Sequence, residues 1–67
     1  MQKKLLVLAA GILQVPVIKK AKDMGIYVIA ADGDANAVGL QYADKAVVVN
    51  ITSEEDVLRV CLLYTSD

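Results

Sequence analysis

The chain has no histidine, tryptophan or phenylalanine, and only one cysteine and one proline in 67 residues. Without histidine and with Cys61 alone, neither an internal disulfide nor a Cys/His zinc site can form. Charge of one sign is also scarce. The formal net charge is −1, and the lysines are spread along the N-terminus and one predicted helix, so no basic stripe is present to track nucleic acid. No apolar run approaches the ~18 residues of a membrane span. The opening Met1-Gln2-Lys3-Lys4 leads into a short apolar run that stops at Gly11, which reads as a strand rather than a signal-peptide core. A cytoplasmic protein with neither nucleic acid nor membrane as partner is the expectation.

What the chain does have is aliphatic surface. Its apolar fraction is 57%, above the usual ~45–50%, and with few aromatics the excess lies in Val, Leu, Ile and Ala. That composition suits parallel strands covered on both faces. A domain of this length buries only about 60% of the surface its unfolded chain exposes, so weak stability and exposed apolar surface are expected.

Lys3 to Asp34 reads as one βαβ unit. Leu5 to Ala10 is a continuous apolar run, the pattern of a central parallel strand buried on both faces. Gly11 ends it, where the turn needs a small residue or positive φ close to its neighbours. A helix is predicted from about Gln14 to Met24, with Pro16 tolerated in its first turn. Leu13, Val17, Ala21 and Met24 are its predicted sheet-facing line, with Lys19, Lys20, Lys22 and Asp23 as a solvated face. Gly25 is the expected C-terminal cap residue. Tyr27 to Ala31 is a second apolar strand, ending at Asp32-Gly33-Asp34. Both strands are expected to exit on one rim, so a ligand would sit near Gly11 to Gln14 and Asp32 to Asp34.

Ala35 to Tyr42 has weak periodicity around Gly39 and predicts a short or irregular helix. Ala46 to Val49 predicts a third strand whose exit, Asn50 and Thr52, shares that rim if all strands run parallel. Ser53 is a candidate N-cap for a further helix beginning Glu54-Glu55-Asp56, and Thr52, with Glu55 three residues on, is the competing cap. The final stretch Cys61-Leu62-Leu63-Tyr64-Thr65-Ser66-Asp67 looks like the translation of a transposase adapter used in sequencing-library preparation, TGT CTC TTA TAC ACA TCT GAC. On that expectation the natural sequence departs near Val60. The alternative is that these residues are the true end of the helix.

The matching residues Gly11, Leu13-Gln14, Pro16 to Lys22, Met24-Gly25, Asp32, Asp34, Asn36-Ala37, Gly39 and Tyr42-Ala43-Asp44 follow the pattern "lilGaGplQ.pvikkAkemGyyvi.vD.dpnApg..yAD". Over Lys3 to Leu58 the chain thereby resembles the N-terminal, pre-ATP-grasp domain of ATP-grasp ligases, in particular carbamoyl-phosphate-synthetase-like members. The resemblance implies an α/β fold, a three-stranded parallel sheet with flanking helices that forms half of a Rossmann-like domain. Residues 1–60 would be an incomplete domain of this kind and residues 61–67 a non-native tail. It further implies an enzyme that activates a small carboxylate as an acyl phosphate, with ATP and Mg²⁺, for attack by an amine or thiol. Those cofactors would be held by the missing ATP-grasp domains of the same chain. This segment, binding none itself and inactive alone, would supply part of the substrate cleft. Two departures stand out: Ala9-Ala10-Gly11-Ile12 lacks the first glycine of the family's turn and its frequent proline, and Ala35 replaces a proline-like residue.

Three residues are the candidate substrate contacts. Gly11, with the following helix N-terminus, could hold a phosphate or carboxylate through backbone N–H groups, or serve the turn alone. Gln14 could donate an amide hydrogen bond or be solvated. Asp32 stands where dinucleotide-binding proteins place the carboxylate for ribose hydroxyls, and capping its own turn explains it equally well. Asn36 and Asp44 suit Asx-turn or strand-entry roles, and consecutive Glu54, Glu55 and Asp56 point in different directions around a helix, which favours helix-dipole charges over a metal cluster. The alternative reading is half of an NAD- or FAD-binding Rossmann domain, which needs G-x-G-x-x-G where this chain offers AAGILQ.

Overall fold

Val28, Ile29, Ala30 and Ala31 carry no polar side-chain atoms and are 0–1% exposed, so this stretch forms the middle of the molecule. The computed structural model describes residues 3–65. Strands β1 (Lys4–Leu8), β2 (Tyr27–Asp32) and β3 (Lys45–Val48) form a parallel sheet in the order β1-β2-β3. Leu5 is in register with Val28 and Val7 with Ala30, while Ile29 pairs with Lys45 and Ala31 with Val47. Helix α1 (Val15–Asp23) follows a 3-10 turn at Ile12–Gln14, a second 3-10 turn spans Val38–Tyr42, and helix α2 (Glu54–Thr65) closes the chain. The α/β class and the parallel sheet are those the sequence predicts.

One face of the sheet packs under α1 and the second 3-10 turn, where Val7, Ile18, Ala21, Val28, Ala30 and Leu40 form the core. Burying a side chain the size of Ile18 or Ile29 stabilises by about 1.5–3 kcal/mol each. The opposite face holds Ile29, Ala31 and, from α2, Val60. Val57, Val60, Cys61 and Tyr64 are the less exposed residues of α2's apolar stripe, at the spacing of a single helix face, and Leu58, Leu62 and Leu63 point outward. Ser66 and Asp67, the last residues of the adapter-like tail, lie outside the described residues.

Three expectations need correction. The first apolar run is an edge strand, not a central one: β2 lies between β1 and β3, so Leu5 and Leu6 are only half-buried and Leu8 is 41% exposed. The sheet-facing line of α1 is carried by Ile18 and Ala21, one residue on from the predicted line at its centre. Because α1 lies over β2, Leu13 (87% exposed), Val17 and Met24 are left exposed. The lysines of α1 are not merely solvated: Lys22 Nζ donates to the Tyr42 carbonyl at 2.9 Å, and Lys19 Nζ lies 4.8 Å from the Tyr42 ring centre, tying the second 3-10 turn to the helix.

Each junction has a local cause. Gly25, at φ +78°, lets the Ile26 N–H reach back to the Ala21 carbonyl and its own N–H to that of Lys22, which satisfies two carbonyls at the end of α1. Asp44 starts β3 by pairing with Val28 twice, its N–H donating to the Val28 carbonyl and its Oδ2 accepting the Val28 N–H. Ser53 rather than Thr52 caps α2, since Ser53 Oγ accepts the Asp56 N–H at 3.4 Å while Thr52 is bonded through N–H and hydroxyl to Asn50 Oδ1. Gly39 approaches β1's exit so closely that a Cβ there would stand 2.6 Å from the Ala10 carbonyl oxygen. A Gly39→Ala variant is therefore expected to lose about 1–3 kcal/mol of stability, read as a lowered urea midpoint.

Candidate functional site

All three strands deliver their C-terminal ends to one rim, and the loops meeting there are bonded to one another. Asp32 closes β2 with its carboxylate between two loops: Oδ2 accepts the Ala10 N–H at 2.7 Å and Oδ1 accepts the Asp34 N–H at 2.8 Å. The backbone hydrogen bonds from Ala10 and Asp34, with a lesser one from Gly33, outweigh desolvation and hold the Asp32 carboxyl below its usual value of 3.8. Ala10, fully buried, passes the connection onward through its carbonyl, which accepts the Gly39 N–H at 2.7 Å. The β3 exit joins through Val49, whose N–H donates to the Asp32 carbonyl at 3.0 Å. Asp34 repeats the pattern by accepting the Asn36 N–H on Oδ1, so the loop from Asp32 to Ala37 is a run of side-chain-stabilised turns.

The turn between β1 and α1 has an unusual backbone. Ala9 sits at φ +71°, a left-handed conformation that costs an L-residue roughly 1–2 kcal/mol. The position where the resembled pattern has its first glycine is thus one whose φ glycine adopts without strain. Gly11, in contrast, has φ −70° and ψ 179°, and a Cβ placed on it would meet nothing within 4 Å. Neither positive φ nor crowding accounts for this glycine, which corrects the turn requirement expected from the sequence. Beyond it Ile12 and Leu13 stand exposed at 66% and 87%, an apolar lip on the rim. Gln14 occupies the N-cap position of α1, half-buried, without a side-chain bond to the helix backbone.

The fold therefore brings Gly11, Gln14 and Asp32 to the same rim. The Asp32 carboxylate is committed on both oxygens to the loops around it, Oδ2 to the Ala10 N–H and Oδ1 to the Asp34 N–H. Ala9, Ala10 and Gly39 are the rim residues that sequence reasoning passed over. The signal for the first was present in the Ala9-Ala10-Gly11 departure, and for the others it lay in contacts between distant segments. Among the described residues no group of three His, Cys, Asp or Glu is placed to hold a metal ion. No helix of the described residues is long and apolar enough to cross a membrane.

Two outcomes follow from this geometry. Ala9→Gly relieves about 1–2 kcal/mol of backbone strain and costs about 0.5–1 kcal/mol in unfolded-chain entropy, so a net gain of up to about 1 kcal/mol is expected in denaturant unfolding. For Asp32, a carboxyl lowered in the folded state adds stability that is fully present above about pH 4 and is lost as pH falls through the folded value. The melting temperature should fall more steeply below pH 4 in the parent chain than in Asp32→Asn, with the two curves converging at the acid end.

No protein-family model matches the chain. Curated relatives do. The chain is 37% identical over 57 residues to the formate-dependent phosphoribosylglycinamide formyltransferase of Prochlorococcus marinus, covering 85% of this chain and 15% of that protein. The same enzyme of Trichormus variabilis is 38% identical over 64 residues, 96% of this chain and 16% of the relative. That of Methanocella arvoryzae is 39% identical over 57 residues, 85% and 13% respectively. The chain spans 13–16% of the length of these relatives, and over that span it is similar to a segment of formate-dependent phosphoribosylglycinamide formyltransferases.

Proposed function

We propose that this chain is the N-terminal α/β domain of an ATP-grasp ligase that activates a small carboxylate as an acyl phosphate and passes the acyl group to an amine. The observation that supports the reading is the coincidence of two likenesses that each cover most of the chain. The residues shared with the pre-ATP-grasp pattern run from Lys3 to Leu58, and relatives named for formate-dependent formyl transfer match over 57 to 64 residues. Their name supplies a carboxylate, formate, and an amine-bearing acceptor, phosphoribosylglycinamide. In such a reaction ATP gives its terminal phosphoryl group to the carboxylate, and the amine then attacks the carbonyl carbon and expels phosphate.

ATP and Mg²⁺ would be held by the remainder of the enzyme. This chain's part is the substrate end of the cleft. Gly11, free of any steric need for glycine, leaves the backbone open to a close-lying anionic group at the start of α1. The Gln14 side-chain amide, uncommitted to capping, donates to a carboxylate or phosphate oxygen. Asp32 fixes the loop on which both stand and offers its remaining lone pairs to a hydroxyl.

The test is expression of the complete reading frame that carries this chain, assayed for ADP release with a panel of carboxylates and amines that includes formate and phosphoribosylglycinamide. Release that needs ATP, Mg²⁺ and both partners, with hydroxylamine trapping an acyl hydroxamate, is the expected result. Gln14→Ala should raise KM for one partner about tenfold, the equivalent of one lost hydrogen bond of about 1.4 kcal/mol, without lowering the melting temperature. Absence of ADP release with every pair, or saturable micromolar binding of NADH, would overturn the reading in favour of a dinucleotide-binding half-domain.

A further inference from the structure

A net charge of −1 conceals a division of charge along the strands. Helix α1 runs from the exit of β1 to the entry of β2, so Lys19, Lys20 and Lys22 in its C-terminal half lie at the end of the sheet where Lys3 and Lys4 open β1 and Lys45 opens β3. All six lysines of the protein are thereby gathered at the entry end, drawn from three separate segments. Among the described residues Asp23 and Asp44 are the carboxylates that accompany them, which leaves a surplus of four positive charges. The opposite rim carries Asp32 and Asp34, with Glu54, Glu55 and Asp56 in the first turn of α2 beyond the β3 exit.

The lysines are not matched by these carboxylates. All six are exposed, and among the described residues the one ion pair joins Arg59 to Asp56 on α2. The dipole of α1 accounts for the sign of Lys20 and Lys22 in its last turn, and Tyr42 engages Lys19 and Lys22. Neither effect neutralises a charge, and neither reaches Lys3, Lys4 or Lys45. A five-residue strand such as β1 spans ~16 Å, about twice the ~8 Å over which physiological salt screens a charge, so a partner at the entry end meets the lysines without the carboxylates of the other rim.

We propose that the entry end of the sheet is a docking surface for an acidic polypeptide segment, one rich in Glu or Asp. The chemistry of this end favours carboxylates over a nucleic acid. The Tyr42 ring lies under Lys19 and Tyr27 is half-buried, so neither offers an open face for a base to stack on, and no arginine fork stands there for a phosphate. Ammonium groups on flexible stems follow carboxylates without demanding a fixed spacing. The surface lies at the far end of the strands from Gly11, Gln14 and Asp32, so a docked segment leaves the candidate site open. The inference rests on charge placement alone and is independent of the reaction proposed above.

The test is titration of the isotope-labelled 67-residue chain with an acetylated hexaglutamate peptide, followed through the amide chemical shifts. Saturable shifts at Lys3, Lys4, Lys20, Lys22 and Lys45 are expected, with Gly11 to Gln14 unmoved, and binding should weaken about tenfold when salt is raised from about 0.05 M to about 0.3 M. Lys3→Gln, Lys4→Gln and Lys45→Gln combined should weaken binding about tenfold at an unchanged melting temperature, whereas the same three positions changed to Arg keep it and Arg59→Gln leaves it unaltered. Absence of saturable shifts, or binding indifferent to the triple Gln variant, would overturn the proposal. Equal or tighter binding of a thymidine oligonucleotide of the same charge would do so too, because the surface would then take any polyanion. So would concentration-dependent shifts at both rims in the chain alone, which would assign the lysines to the acidic rim of a second copy.

Discussion

The peptide between Ala9 and Ala10 and the one after it organise the rim. Through its N–H Ala10 is held by the Asp32 carboxylate, and through its carbonyl it holds the Gly39 N–H, so one buried alanine links the exits of β1 and β2 to the segment leading into β3. The participants sit far apart in sequence, and each is small or short because the space demands it. Gly39 lacks the Cβ that would strike the Ala10 oxygen, and Ala10 itself is enclosed. The left-handed Ala9 is what turns the chain sharply enough to present Ala10 to both partners. Strain in one residue is thus balanced by charge-assisted and neutral hydrogen bonds in the next.

This arrangement separates two kinds of glycine that look alike in sequence. Gly39 is structural, since its neighbour leaves room for nothing else. Gly11 has ordinary backbone angles and open surroundings, so the fold does not require it. The distinction gives the rim two unlike sides. One side is a packed hinge of backbone bonds, and the other is an accessible turn opening onto α1 with Gln14 half-buried behind it.

Much of the architecture was legible because aliphatic runs bounded by glycine and acidic residues are a strong signal for parallel strands. Gly25, Pro16 and Ser53 fall at the helix ends where their chemistry places them. The role of Asp44 in opening β3 was likewise within reach. Strand position was not: a run such as Leu5 to Ala10 has a composition that suits the middle of a sheet, yet it lies at an edge. The line of α1 that meets the sheet was not legible either, because Val17 and Met24 are as apolar as Ile18 and Ala21 and yet stay exposed. Of the site, co-location of Gly11, Gln14 and Asp32 followed from parallel topology, whereas the bonds through Ala10 join segments that no local pattern relates.

The enclosure of β2 has a consequence for motion. Its four central residues have almost no contact with solvent, whereas β3 has only four residues, three of them exposed, and β1 keeps one bare side. Opening fluctuations in such a sheet start at the flanks and reach the middle last. Asp32 terminates the most protected ribbon while its carboxylate grips the turn strained at Ala9. The rim is therefore suspended from the stiffest part of the molecule, and its shape outlasts the fraying of the strands on either side.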